Sequence, residues 1–127
     1  MLRRTTAKLR DRNVAGSWLI VASGEVVGLC GFKAVPDKGV AEIGYGIAAS
    51  RRKQGHATRA VAALILQASR DPEIGALRAE TAIANIASQR VLERNGFVKS
   101  GTRNDPEDGD LIVWSRSLRD PTTPRTA

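Results

Sequence analysis

Residues Ala41 to Ala57 read AEIGYGIAASRRKQGHA. In the first half, Ile43, Tyr45 and Ile47 fall on one side of a period-two run. Glu42, Gly44 and Gly46 fall on the other, which is the pattern of a β-strand. The strand runs into a short basic turn containing Gly55, and a helix follows at once. Ala57, Ala60, Val61, Leu64, Ile65 and Ala68 recur as one apolar stripe at helical period. The first N–H groups of a helix lack intrahelical acceptors. Strand end, glycine turn, helix start and the cations Arg51, Arg52 and Lys53 therefore meet at one point, an arrangement suited to holding phosphate. Gly55 and Ala57 keep the approach to the backbone open, and Thr58 adds a hydroxyl.

Upstream, Trp18 to Ala22 and Val26 to Val35 are apolar runs separated by Ser23-Gly24-Glu25, a hairpin by composition. With Ala41 to Ile47 they make an antiparallel meander of three strands. Downstream, Asp71-Pro72 stops the helix. Ala76 to Ile83 then alternates, with Leu77, Ala79, Thr81 and Ile83 on one side. A strand, helix, strand order predicts a crossover and a parallel pair. Asn85 is an N-cap residue for a second helix with Ala87, Val91 and Leu92 as its buried stripe. Gly96 closes it in the left-handed region and Phe97 packs back. Phe97 to Thr102 and Leu111 to Leu118 form a last hairpin around an acidic loop holding Glu107 and Asp108.

At 127 residues the chain is one domain. The expected limits are a short basic segment over 1–17, with room for one short helix, a domain over 18–118 and a disordered tail over 119–127. The net charge of +7 points to an anionic partner. Aromatic content is only 4%, too low for stacking platforms, so a phosphate-rich ligand is favoured over nucleic acid. The single cysteine, Cys30, excludes an internal disulfide, and with one histidine the chain has no zinc-site spacing. No apolar run is long enough to span a membrane, and no apolar signal core follows the basic start. A cytoplasmic protein is expected.

Two blocks carry a family resemblance. Arg52-x-x-Gly55-x-Ala57 resembles the pyrophosphate loop of the GNAT acyltransferases. NIASQRVLERNGF, Asn85 to Phe97, is similar to the matching segment of the branch that acetylates ribosomal-protein N-termini. The resemblance implies an α/β (α+β) fold with a mixed, mostly antiparallel, splayed central sheet flanked by helices. It implies a bacterial N-acetyltransferase that moves an acetyl group from acetyl-CoA to a primary amine by direct attack in a ternary complex. The acceptor is a protein N-terminus or a small amine. Ile47 resembles a pantetheine contact. Arg52, Lys53, Gln54, Gly55, His56, Ala57 and Thr58 resemble the pyrophosphate-binding turn. Asn85 resembles a pantetheine-binding residue, and Ser88 a hydroxyl beside the sulfur.

The chemistry adds its own requirements. An ammonium must lose a proton before it attacks a thioester, and a carboxylate can take it. Glu42 is the first candidate base and Glu80 the second, with Glu107 and Asp108 as alternatives. The leaving thiolate needs a donor. Many family members place a tyrosine where this chain has Leu92, so Ser88 is the substitute and Tyr45 a weaker one. The family also begins with more chain than the 17 residues before Trp18, which leaves one wall of the acceptor site unaccounted for. A CoA-binding module without turnover is the alternative, a nucleic-acid binder a more distant one, and a homodimer through the last strands is compatible with the pattern.

Overall fold

The computed structural model describes residues 2–4, 17–33, 38–48, 52 and 55–118. Its elements are β1 (Leu2–Arg4), β2 (Ser17–Ala22), β3 (Glu25–Phe32), β4 (Val40–Ile47), α1 (His56–Ser69), β5 (Ala76–Ala82), α2 (Ile86–Arg94), β6 (Val98–Asp105) and β7 (Gly109–Ser117). The order across the sheet is β1-β2-β3-β4-β5-β7-β6. Every neighbouring pair is antiparallel except β4 and β5. The expected meander is β2, β3 and β4, and the crossover through α1 gives the expected parallel pair.

That parallel pair is short, and its shortness shapes the molecule. Val40 pairs with Ala76, Ala41 with Leu77 and Glu42 with Arg78. Beyond this point Ile43 to Ile47 pair with β3 alone, and Ala79 to Ala82 with β7 alone. The sheet splays into a V whose apex is Glu42 and Arg78.

Packing follows from the apolar stripes. Val61 and Leu64 of α1 are fully buried against Trp18, Ile20, Val27 and Ile43. Trp18 meets Phe32 edge to face, with ring centroids 5.7 Å apart. On the other half of the sheet Leu77, Leu92, Phe97 and Trp114 are buried together. The indole N–H of Trp114 donates to Thr81 Oγ1 at 2.9 Å, satisfying the one buried polar side chain among the described residues.

Three expectations are corrected. Leu2–Arg4 is a strand paired with Trp18–Ile20, so the sheet begins before the expected boundary at Trp18, and the segment does not start as a helix. Ile83 lies past the end of β5 and is 51% exposed. Ala87 is exposed, so only Leu92 of the expected α2 stripe is fully buried, with Val91 half-buried. Ile83 lies beyond Ala82, the last β5 residue paired with β7, and Ala87 stands in the first turn of α2. The tail over 119–127, Arg51, Lys53, Gln54 and Ala49 lie outside the described residues.

Candidate functional site

At the start of α1, Gly55 takes φ +80° and ψ 4°, a left-handed conformation that glycine adopts without penalty. No side chain caps the helix and no acidic residue stands in its first turn. The N–H groups of His56, Ala57 and Thr58 precede the first intrahelical bond, from Arg59 N to Gly55 O at 3.1 Å. N–H groups at a helix start, at the positive end of the helix dipole, are suited to an anion. Arg52 folds back so that its Nε donates to Ile47 O at 3.2 Å, tying the turn to the end of β4. Arg59 Nη2 donates to His56 Nδ1 at 2.9 Å, holding a cation beside the same turn.

At the start of α2, Asn85 is the N-cap, accepting from Ser88 N on Oδ1 at 3.1 Å. Gln89 Nε2 donates to Ile83 O at 2.8 Å and fixes the helix to the end of β5. Ser88 Oγ donates to Tyr45 Oη at 3.1 Å, and Tyr45 Oη donates to Ser88 O at 3.2 Å. The bond joins β4 to α2 on the two arms of the V. Burial pushes the Tyr45 phenol above its ordinary value, and the Ser88 hydroxyl partly offsets this.

The two helix starts are held in fixed relation. Asn95 Nδ2 donates to Thr58 O at 3.1 Å and to Val91 O at 3.0 Å, and Arg116 Nε donates to Asn95 O at 2.7 Å. The end of α2 is thereby clamped to the start of α1. At 1.5 Å per residue, Ser88 lies roughly 10 Å along the axis of α2 from that clamp.

The candidate carboxylates meet at the apex. Glu42 Oε1 faces Arg78 Nη1 at 3.0 Å, and its Oε2 faces the half-exposed Lys33 Nζ at 3.5 Å. Glu80 accepts from Arg103 Nε and Nη2, both at 2.9 Å, and from Arg78 Nη2 at 2.8 Å. The bidentate Arg103 contact, with Arg78 beside it, holds the Glu80 carboxyl below the usual carboxylate range. Glu80 is thus a saturated anchor, whereas Glu42 has one loosely held oxygen. Glu107 and Asp108 lie in the β6–β7 turn, where their N–H groups donate to Asp105 Oδ2 at 2.9 and 2.8 Å. Asp105 Oδ1 in turn stands 3.5 Å from Arg103 Nη1, linking this turn to the ladder.

Sequence reasoning missed Arg78, Arg103 and Asn95. Arg78 reads as a polar strand position, and only the strand register shows it opposite Glu42. Asn95 reads as half of a helix stop, with no signal for its reach to Thr58. Cys30 is buried, and desolvation pushes its thiol up to about 11, so it is an inert core group. A separate groove of about 450 Å³ lies between β2 and α1 and reaches the first turn of α1 through His56 and Arg59. Among the described residues no cluster of metal-ligating groups occurs.

Comparison with known proteins agrees with this geometry. The chain is 30% identical over 100 residues to the ribosomal-protein-serine acetyltransferase of Escherichia coli (strain K12), covering 78% of this chain and 56% of that protein. RimL, a ribosomal alpha-N-protein acetyltransferase solved with coenzyme A, superposes with a TM-score of 0.79 at 27% identity, covering 87% of this chain and 66% of that one. The aminoglycoside acetyltransferase AAC(6')-Ib, solved with paromomycin and acetyl-CoA, superposes with a TM-score of 0.72 at 25% identity, covering 86% and 66%. The chain spans about half the length of the curated relatives it matches. A family model described as an acetyltransferase (GNAT) domain matches residues 1–98. The chain belongs to the GNAT acetyltransferase family.

Proposed function

We propose that this protein is an N-acetyltransferase that moves an acetyl group from acetyl-CoA to a primary amine by direct attack. The observation that carries the reading is the open start of α1 beside the splayed end of β4. There Gly55 is left-handed, no side chain among the described residues caps the helix, and the arm of β4 beyond Glu42 has no strand pairing with β5. These residues fit a pyrophosphate followed by a long arm. Arg52, Gly55, His56, Ala57 and Thr58, with Lys53 and Gln54 of the same turn, hold the phosphates. Ile47 and Asn85 flank the arm, and Ser88 stands at its far end. Bound acetyl-CoA supplies an activated acetyl thioester.

The residues of the chain divide the remaining work. Glu42 accepts the proton that the incoming ammonium must lose. Arg78 keeps Glu42 oriented, and Glu80 keeps Arg78 in place. A backbone N–H on the arm of β4 that has parted from β5 polarises the carbonyl. Ser88 provides a hydroxyl donor where negative charge collects on sulfur. We assign the basic balance to the CoA phosphates rather than to nucleic acid. The acceptor is a protein N-terminus, a reading supported by the likeness of Asn85 to Phe97 to the ribosomal-protein branch, and the setting is a bacterial cytoplasm. Among the described residues no helix is long and apolar enough to cross a membrane.

The test is mass spectrometry after incubation with acetyl-CoA and three acceptors: a peptide with a free N-terminus, an aminoglycoside and a polyamine. Addition of one acetyl group at the peptide α-amine is expected. Acetylation of the aminoglycoside or polyamine alone would overturn the acceptor assignment. Binding of acetyl-CoA without acetylation of any amine would favour a CoA-binding module.

A further inference from the structure

We propose that Tyr45 is a positioning residue for Ser88, the two hydroxyls forming a donor chain directed at the sulfur that leaves the acetyl group. This rests on the acetyl-CoA reading above. Tyr45 sits on the arm of β4 beyond Glu42, where pairing with β5 has ended, and its ring packs against the core. Its hydroxyl reaches α2, accepting from Ser88 Oγ at 3.1 Å and donating to Ser88 O at 3.2 Å. The backbone of Ser88 is itself fixed by the N-cap bond to Asn85. One turn further on, Leu92 is fully buried and carries no donor. Among the described residues, the donors joined across the cleft at this level are these two hydroxyls.

The geometry allows a change of direction without moving a heavy atom. The Tyr45 hydrogen lies within reach of two acceptors on one residue, Ser88 O and Ser88 Oγ. Rotation about the phenolic C–O bond turns it from the first to the second. Ser88 then accepts from Tyr45, and its own hydrogen is released to point into the cleft. A donor that is itself accepting a hydrogen bond is polarised and donates more strongly. Burial keeps the phenol protonated at neutral pH, so Tyr45 acts as a donor and not as a tyrosinate. No proton leaves either hydroxyl. The carbon–nitrogen bond forms as the carbon–sulfur bond breaks, whose electron pair stays on sulfur as thiolate. Glu42 passes the first ammonium proton to solvent before attack and accepts the second, which nitrogen loses as the amide forms.

Tyr45 is the single tyrosine of the chain, which gives it a spectroscopic signature of its own. In the free protein, Ser88→Ala removes a hydrogen bond that favours the phenolate, so the tyrosinate absorbance should appear at higher pH than in the wild type. An unchanged titration would mean that the pair does not exist in solution and would overturn the inference. The second measurement uses coenzyme A itself, titrating the thiol in the bound complex by thiolate absorbance. A donor chain should make the bound thiol about tenfold more acidic than the free one, a shift of about one unit. Tyr45→Phe, which keeps the ring packing, should remove at least half of this shift without lowering the unfolding midpoint by more than a few degrees. Coenzyme A that binds both proteins with equal thiol acidity would overturn the inference and leave the acetyl-CoA reading standing. Coenzyme A that does not raise the wild-type unfolding midpoint would remove that reading and the inference with it.

Discussion

Arg78→Met tests whether the apex of the V is held by charge. Arg78 is the residue that bridges the two arms at their last paired position, with Nη1 3.0 Å from Glu42 and Nη2 2.8 Å from Glu80. Methionine keeps much of the aliphatic stem and removes both contacts. A hydrogen bond to a charged group contributes roughly 1.5–3 kcal/mol when sheltered, and an exposed ion pair about 0–1 kcal/mol. The side chains of Arg78, Glu42 and Glu80 are 33%, 24% and 10% exposed, between those limits. About 1 kcal/mol per contact is reasonable, or about 2 kcal/mol in all. At ~2.1 cal/mol/K per residue, the unfolding entropy of a chain of this length is ~0.27 kcal/mol/K. The midpoint should therefore fall by about 7 °C in low salt. Calorimetry in low and high salt measures it, and the loss should shrink with salt as the wild type is screened. The KM for acetyl-CoA should rise as the cleft loosens. A midpoint within 1 °C of wild type in low salt would refute the claim that this ladder fixes the apex.

Glu80 makes stability depend on acid. Its folded pKa is lowered, so its contribution is fully present above the unfolded carboxylate range and is lost as pH falls through the folded value. Urea unfolding at neutral and acidic pH should show a larger acid loss for wild type than for Glu80→Gln, with the two converging at the lowest pH. Cys30 should not react with a thiol reagent at neutral pH in the native state and should react at once in denaturant, because it is buried and its pKa is raised to about 11. Native reactivity at the unfolded rate would mean that β3 is not packed as described.

Period and punctuation in the sequence exposed most of the fold. The stripe from Ala57 to Ala68, the stop at Asp71-Pro72 and the close at Gly96-Phe97 each define an element by local chemistry, and each element formed where the chemistry places it. Leu2–Arg4 was hidden because three residues carry no period, and their strand exists only through pairing with β2. Burial was misread at Ile83, just past the end of β5, and at Ala87, in the first turn of α2. Alternation does not show where strand pairing ends, and that of β5 ends at Ala82. The left-handed Gly55 before α1 was legible because a glycine turn before a helix is a local signal. The Tyr45–Ser88 pair and the Glu42–Arg78–Glu80–Arg103 ladder join residues far apart in sequence, and residue type alone cannot show which polar groups share a face. Local rules fail most where the sheet opens, and that is also where the chemistry is assigned.

The most direct test of the account is thermal unfolding with and without acetyl-CoA in wild type, Gly55→Ala and Gly55→Glu. A ligand at about 100 times its Kd stabilises the folded state by about 2.7 kcal/mol. That corresponds to a rise of about 10 °C in wild type. Gly55→Ala places a Cβ where φ is +80° and 2.7 Å from Arg59 Nη1, a flexible group that can give way. It should lower the unliganded midpoint by a few degrees and keep most of the ligand-induced rise. Gly55→Glu sets a carboxylate at the open helix start and should abolish that rise while the protein remains folded. A rise of equal size in Gly55→Glu, or no rise in folded wild type, would contradict the claim that the β4–α1 turn holds the cofactor phosphates.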